Sequence, residues 1–193
     1  MLKRFTLLFV FALLSAAAHS PVAAQQQPVQ PAEPKEAAFR LKGLDGKFYD
    51  TAEMRGDVLV VSFGATWCTP CVWELVAIAE LKEEYAGKPV KFFWVSIEDE
   101  KQTSNNLLRH FVKEQQVKIP VLRDPKLEAF SQFSTGVRIP VVVFFGPDGR
   151  YIAPAHRGMA SEIADYKKMV RKRVDSLLKA REDAPGAAAT ATK

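Results

Sequence analysis

Apolar positions along the chain are grouped in a pattern that predicts alternating strands and helices. The run at 58–63 is almost continuously apolar, which is typical of a strand covered on both faces. In the segment 72–85, apolar residues recur every three or four positions, as they do along one face of a helix. The same patterns predict strands at 90–97, 117–122 and 139–145, helices at 103–115 and 127–133, a last helix from a Ser161 cap to about 178, and hairpins around 43–46 and 147–149.

The order of these elements predicts the fold class. A strand–helix–strand unit is followed by a helical insertion, a hairpin and a final helix, which indicates an α/β sandwich. We expect this domain to span residues 39–180 and to open with the N-terminal hairpin. The segment 25–38 is rich in Gln, Pro and Ala and is expected to be a flexible linker. The segment 181–193 lacks large side chains and is expected to be a disordered tail.

The first 24 residues have the pattern of an export signal. Lys3 and Arg4 precede an apolar stretch at 5–18, and small residues at 22–24 offer a cleavage site. The apolar stretch is short for a bilayer span, which needs roughly 20 residues, although 22–24 could extend it into an uncleaved anchor. We therefore expect an exported protein, periplasmic or otherwise outside the cytosol, either free or tethered to the membrane. Disulfides form and persist in such compartments.

The charge balance does not favour nucleic acid as a partner. The formal net charge of the 193 residues is +5. Two of the 27 basic residues and none of the 22 acidic ones lie in the first 24 positions, so the remainder carries +3. The basic run at 167–173 falls in a helical pattern, where a solvated face is expected.

The two cysteines of the chain, Cys68 and Cys71, lie where the strand at 58–63 leads into the next helix. A thiol at a helix N-terminus faces unpaired backbone N–H groups and the positive end of the helix dipole. Both favour the thiolate, which is the reactive species. With two residues between them the sulfurs lie within bonding reach, so dithiol–disulfide exchange is the favoured chemistry. A static disulfide and half of a zinc site remain as alternatives, although zinc needs about four ligands and no histidine has ligand spacing here.

Three motifs resemble the thioredoxin superfamily: Trp67-Cys68-Thr69-Pro70-Cys71, Gly136-Val137-Arg138-Ile139-Pro140 and Pro147-Asp148-Gly149. More narrowly, the chain from about 39 to 178 is similar to the exported TlpA/ResA-like branch, which is related to the reductases of cytochrome c maturation. The segment 98–133 resembles the insertion of that branch, whereas Val76 replaces a proline that the branch often carries. The resemblance implies a thioredoxin fold, a three-layer α/β/α sandwich with an N-terminal hairpin and a central helical insertion.

The chemistry of this class assigns roles to the cysteines. Cys68, at the helix start, would attack a substrate disulfide, and Cys71 would then resolve the mixed disulfide. Glu74 matches a glutamate of the branch's W-C-x-P-C-x-x-E pattern and shares a helix face with Cys71, so it could exchange protons with the resolving thiol. The alternative is a solvent-exposed carboxylate. The buried carboxylate of ordinary thioredoxins would fall at Ser62, which cannot act as a base.

Substrate binding is expected beside the cysteines. The resemblance implies a cis peptide bond at Pro140, where the backbone of Ile139 would pair with an extended substrate strand. The alternative is an ordinary proline at the first position of a strand. Trp67 would form a contact surface next to Cys68, the alternative being a core residue.

These observations favour an exported thiol–disulfide oxidoreductase, and the resemblance implies that it reduces protein disulfides. The resemblance implies a disulfide-bearing protein substrate, a membrane thiol electron donor and a role in cytochrome c maturation. We expect no metal and no cofactor apart from the redox-active Cys68–Cys71 disulfide. Two alternatives are a thioredoxin-fold binding module with a static disulfide and a metallochaperone that holds Cu(I) with the two thiols.

Overall fold

The computed structural model describes residues 37–183. In this range, seven strands form one sheet that is packed against three α-helices and two 3-10 turns. The strands are β1 Arg40–Gly43, β2 Phe48–Asp50, β3 Val58–Gly64, β4 Val90–Ser96, β5 Val121–Arg123, β6 Val141–Phe145 and β7 Tyr151–Arg157. The helices are α1 Thr69–Glu84, α2 Asn105–Glu114 and α3 Ile163–Glu182, and the 3-10 turns are Thr51–Met54 and Phe130–Gln132.

The sheet has the strand order β2-β1-β5-β4-β3-β6-β7. Its central strands β5, β4 and β3 are parallel, whereas β6 and β7 are antiparallel to their neighbours. Strands β1 and β2 form the expected N-terminal hairpin, which joins the sheet through β5. The predicted α/β class is therefore confirmed.

Strand β3 is the centre of the fold, because its near-continuous apolar sequence is buried along its whole length. Leu59, Val61 and Phe63 contribute to one hydrophobic core, and Val60 contributes to the core on the opposite face. The alternation follows from the two-residue repeat of a strand. This strand ends immediately before the cysteine motif, so two packed cores fix the position at which the motif begins.

The two faces of the sheet are covered in different ways. Apolar side chains of α1, α2 and α3 share one core, with Leu75, Leu108 and Tyr166 fully buried in it. The opposite face is covered by Phe39 and by the 3-10 turn at Phe130–Gln132. The outer layer on that face is thus built from short segments that insert aromatic rings.

Several predicted element boundaries differ from the structure. Helix α1 begins at Thr69, directly after Cys68, where the helix start was expected, although its apolar repeat begins only at residue 72. Strand β5 covers only Val121–Arg123, after Pro120; proline has no N–H to donate to a sheet. The expected cap at Ser161 is wrong. Helix α3 begins at Ile163, with Glu162 in the N-cap position and no side-chain hydrogen bond to the first turn.

Some of the predictions lie outside the described residues. The leader at 1–24, the linker as far as residue 36 and the tail from residue 184 belong to this group. At the end of the predicted linker, Ala37 is buried in the core, and α3 continues to Glu182, beyond the predicted start of the tail at 181. Within 37–183, no helix combines the length and the apolar character that crossing a membrane requires.

Candidate active site

The cysteine motif forms the junction between β3 and α1. Strand β3 ends at Gly64, and Cys68 occupies the N-cap position of α1 with an extended backbone. Pro70 lies in the first helical turn, where a missing N–H costs nothing. Cys68 and Cys71 are joined by a disulfide, with 5.2 Å between their Cα atoms. The sequence spacing thus brings the two sulfurs together, as predicted.

The sulfur of Cys68 lies in an environment that stabilises negative charge. It accepts a hydrogen bond from the backbone N–H of Cys71 at 3.3 Å, as the capping atom of the helix. In the reduced protein the same N–H group and the helix dipole would favour a thiolate at this position. Cys68 is 7% exposed and Cys71 is completely buried, so an external sulfur can approach Cys68 and not Cys71.

The loop before β6 reaches the disulfide from the other side. The peptide bond Ile139–Pro140 is cis, as predicted, whereas the similar Ile119–Pro120 is not. The carbonyl oxygen of Ile139 lies 4.0 Å from the Sγ atom of Cys68. The side chain of Ile139 packs against a small buried cluster of Ala65, Cys68 and Cys71. The backbone expected to pair with a substrate is therefore next to the reacting sulfur.

Two exposed tryptophans flank the motif. Trp67 is 70% exposed, which excludes the alternative of a core residue. Trp73 is 51% exposed and lies one helical turn after Thr69 and Pro70 on α1. Trp73 was not predicted as a site residue. It is two and five positions from Leu75 and Ile78 and so lies off the apolar face of the helix, which is the signal that could have indicated its exposure. Exposed aromatic side chains next to a reactive group are typical of a contact surface.

Glu74 is completely buried, so the alternative of a solvent-exposed carboxylate is excluded. The hydroxyl of Ser62 donates a hydrogen bond to its Oε2 atom, and the hydroxyl of Tyr166 donates one to Oε1 at 2.6 Å. Burial raises the pKa of Glu74 to about 7, although both hydrogen bonds act in the opposite direction. The carboxyl group can therefore exchange a proton near neutral pH.

The resemblance to thioredoxins placed a buried carboxylate at position 62, where this chain has a serine. Here the buried carboxyl group beside that serine comes from helix α1. Ser62 on β3 does not carry an acid, but it binds the carboxyl group that α1 supplies through Glu74. The second hydrogen-bond donor to Glu74 is Tyr166, which lies 92 residues beyond it in the sequence, and no local motif marks it. Sequence reasoning missed Tyr166 for this reason.

No three His, Cys, Asp or Glu side chains in residues 37–183 are grouped as metal ligands. His156, the histidine of β7, faces the ring of Tyr166 at 6.1 Å between centroids. Burial, together with the nearby Arg173, lowers the pKa of His156. Both cysteine sulfurs are joined to each other.

Comparisons with known proteins agree with this geometry. The redoxin family model matches residues 29–170. Thiol-disulfide oxidoreductase ResA of Bacillus cereus (strain ZK / E33L) is 28% identical over 119 residues, which cover 61% of this chain and 66% of the relative. Sporulation thiol-disulfide oxidoreductase A of Bacillus subtilis (strain 168) is 27% identical over 131 residues, which cover 68% of this chain and 76% of the relative.

Solved structures show the same fold. A thiol:disulfide interchange protein of the thioredoxin family from Chlorobium tepidum TLS superposes with a TM-score of 0.62 at 23% identity. The match covers 77% of this chain and 99% of that protein. The predicted thioredoxin fold is therefore confirmed.

The fold and the Cys68–Cys71 pair define a thioredoxin-fold thiol–disulfide oxidoreductase. The chain belongs to the redoxin family, whose model covers most of its length. The predicted resemblance to ResA-type oxidoreductases is confirmed by the curated relatives.

Proposed function

We propose that this protein reduces disulfide bonds in exported protein substrates by dithiol–disulfide exchange. The observation that carries the proposal is the placement of Cys68. Its sulfur caps a helix, accepts the N–H of Cys71 and is the more exposed member of a disulfide pair. Burial of Cys71 gives the two sulfurs separate roles.

The reaction proceeds in two exchanges. The thiolate of reduced Cys68 attacks one sulfur of a substrate disulfide, forms a mixed disulfide and releases the other substrate sulfur as a thiolate. Cys71 then loses its proton and attacks Cys68. This step forms the Cys68–Cys71 disulfide and releases the second substrate sulfur, so two electrons pass to the substrate. A dithiol donor returns them by the reverse sequence.

Glu74 is proposed to take the proton of Cys71 in the second exchange. The two residues are three positions apart on α1 and both are completely buried. A pKa of about 7 lets the carboxyl group accept and return a proton near neutral pH. The bonds from Ser62 and Tyr166 hold the carboxyl group on this side of the sheet.

A substrate strand is proposed to lie along Ile139 and Trp67. The carbonyl of Ile139, 4.0 Å from the sulfur of Cys68, is the acceptor for a substrate N–H. Exposed Trp67 supplies apolar contact on the same side of the motif. The cis bond at Pro140 is the feature of this loop that the motif resemblance led us to expect.

The proposal extends to where the protein is located and which partners it has. The pattern of Lys3, Arg4 and the apolar stretch at 5–18 supports export, with a membrane tether if the leader is retained. The TlpA/ResA-like motif supports a membrane thiol donor and a role in cytochrome c maturation. No cofactor other than the Cys68–Cys71 disulfide is required by this chemistry.

Insulin reduction by the protein in the presence of dithiothreitol tests the activity. We expect the wild type to accelerate the reaction and both Cys68→Ser and Cys71→Ser to abolish it. After reduction and removal of dithiothreitol, Cys71→Ser retains the attacking thiol and should accumulate a mixed disulfide with the substrate, whereas the matched variant Cys68→Ser should form none. A wild type without activity, or a Cys71→Ser variant that forms no more mixed disulfide than Cys68→Ser, would favour the binding module instead.

A further inference from the structure

A buried carboxylate holds the loop that leads into Cys68. Glu98 follows β4 and is 6% exposed. Its Oε2 atom accepts a hydrogen bond from the backbone N–H of Thr66 at 3.0 Å, and its Oε1 atom accepts one from the hydroxyl of Thr66 at 2.6 Å. One carboxylate therefore binds both donors of a residue that lies two positions before Cys68.

Glu98 is itself held in place by neighbouring elements. Its Oε2 atom also accepts from the hydroxyl of Ser96, and its Oε1 atom accepts from the hydroxyl of Thr103, each at 3.0 Å. The guanidinium group of Arg123 donates to Ser96 Oγ at 3.2 Å and to the carbonyl oxygen of Glu98 at 3.1 Å. With four donors, the carboxylate is fully satisfied. Its orientation is fixed from β4 and the segment before α2, while Arg123 of β5 holds Ser96 and the backbone of Glu98.

The segment that Glu98 holds is the one that presents the reacting sulfur. Strand β3 ends at Gly64 and α1 begins at Thr69. Between them, the N–H of Cys68 donates to the carbonyl oxygen of Ala65 at 3.2 Å and closes a turn around Thr66. The strand and the helix fix the two ends of this turn, and the carboxylate of Glu98 fixes its middle.

We propose that Glu98 is a positioning residue for disulfide exchange, acting through Thr66 to hold Cys68 where its sulfur receives the N–H of Cys71. This inference rests on the proposed function and adds to it a residue outside the cysteine motif. When the hydrogen bonds between Thr66 and Glu98 are weakened, the sulfur of Cys68 moves away from the N-terminus of α1. Its thiolate then loses the stabilisation that the backbone N–H and the helix dipole provide.

The test measures alkylation of the reduced full chain by iodoacetamide across a range of pH, which reports the thiolate of Cys68 without a protein substrate. Thr66→Val removes one of the two bonds to Glu98 without a change of charge. We expect the midpoint of the pH profile to rise and the rate at neutral pH to fall by roughly three- to tenfold, because small misplacements of a reacting group are costly. Thr66→Ser keeps the hydroxyl and should restore the wild-type profile.

Thr51→Val is the matched control. Thr51 is 1% exposed, and its hydroxyl bonds to the backbone of Phe39, so the variant loses a hydrogen-bonded threonine hydroxyl away from the cysteines. We expect it to lower stability to urea and to leave the alkylation profile unchanged. If Thr66→Val does the same, the contact is merely structural and the inference is overturned.

Glu98→Gln identifies the partner through which Thr66 acts. If Glu98 works through Thr66, Thr66→Val should add little to the alkylation defect in the Glu98→Gln background. Two fully additive defects would contradict the inference. Failure of the proposed function has a different signature, since the wild type itself would then show no reactive thiolate and would not reduce insulin.

Discussion

The hydroxyl of Tyr166 donates a 2.6 Å hydrogen bond to Oε1 of Glu74, between two helices that are far apart in sequence. Both residues are fully buried, and Ser62 binds the second carboxyl oxygen. Burial raises the pKa of Tyr166 well above its ordinary value, so its hydroxyl remains a donor throughout the physiological range. The active-site helix is therefore linked to the C-terminal helix through one ionisable group.

The protonation of Glu74 should make folding stability depend on pH. The pKa of Glu74 is about 7 in the folded protein, against an ordinary value of 4.5. The folded state therefore binds the proton more tightly. The stabilisation of the folded state by protonated Glu74 is fully present below pH 4.5 and is lost as pH rises through about 7. The free energy of unfolding should fall over this window by an amount on the order of 3 kcal/mol.

Urea unfolding of the oxidised protein at a series of pH values measures this effect. Glu74→Gln has no titrating group at this position, so the difference between wild type and variant isolates Glu74 from other carboxylates. We expect the variant to gain relative stability as pH rises. Parallel curves for the two proteins would contradict the assigned direction of the pKa shift.

Removal of the Tyr166 hydroxyl should destabilise the protein mainly when Glu74 is ionised. Tyr166→Phe leaves a buried carboxylate with one donor fewer, which costs about 1–3 kcal/mol. The loss should be larger at pH 8 than at pH 5, because a protonated carboxyl group depends less on the donor. The control is Tyr85→Phe, in which the lost bond is the 2.7 Å contact to the exposed Asp175. Equal, pH-independent losses in both variants would refute the prediction.

Gly64 should not tolerate a side chain. A Cβ atom at this position would lie 2.9 Å from Nε1 of Trp94 and 3.0 Å from Cβ of Cys71. Gly64→Ala should therefore lower the free energy of unfolding by about 1–3 kcal/mol, as overpacking does in other cores. At Gly136 a Cβ atom would meet nothing within 4 Å, so Gly136→Ala is the control and should change stability little. Urea unfolding of both variants distinguishes them.

The two exposed tryptophans should contribute to the binding of a protein substrate and not to the reactivity of the Cys68 sulfur. Trp67→Ala should raise KM for a protein disulfide several-fold, whereas the rate of Cys68 alkylation by a small reagent should remain within about twofold of the wild type. Trp73→Ala should also raise KM, but by less than Trp67→Ala does, since Trp73 lies one helical turn further from Cys68. Leu107, which is 57% exposed on α2, provides the control through Leu107→Ala. An unchanged KM in Trp67→Ala would contradict the proposed contact surface.

The local features of the site could be predicted because they follow from short-range physics. The spacing of Cys68 and Cys71, the entry of β3 and the first turn of α1 are all contained in one segment, and the structure has them as expected. The prediction that Ser161 caps the last helix was wrong. A shift of one residue in the helix start changes which backbone N–H groups a side chain can reach.

The long-range contacts could not be predicted in this way. Tyr166 meets Glu74, and Glu98 meets Thr66, only because the sheet order brings separate elements together. A glutamate is normally exposed. The W-C-x-P-C-x-x-E pattern singled out Glu74 but left its burial open, and no pattern around Glu98 distinguishes it from the solvated glutamates of α1. Burial, which raises the pKa of Glu74, is a property of the assembled fold.

The reduction potential of the Cys68–Cys71 pair, measured against glutathione by tryptophan fluorescence, tests the central claim most directly. We predict a value near that of thioredoxin, about −270 mV, which would make the protein a reductant that depends on a thiol donor. A value near about −120 mV would make it an oxidant and reverse the direction of electron flow. A pair that does not equilibrate with glutathione at all would contradict the account, since the disulfide would then be static.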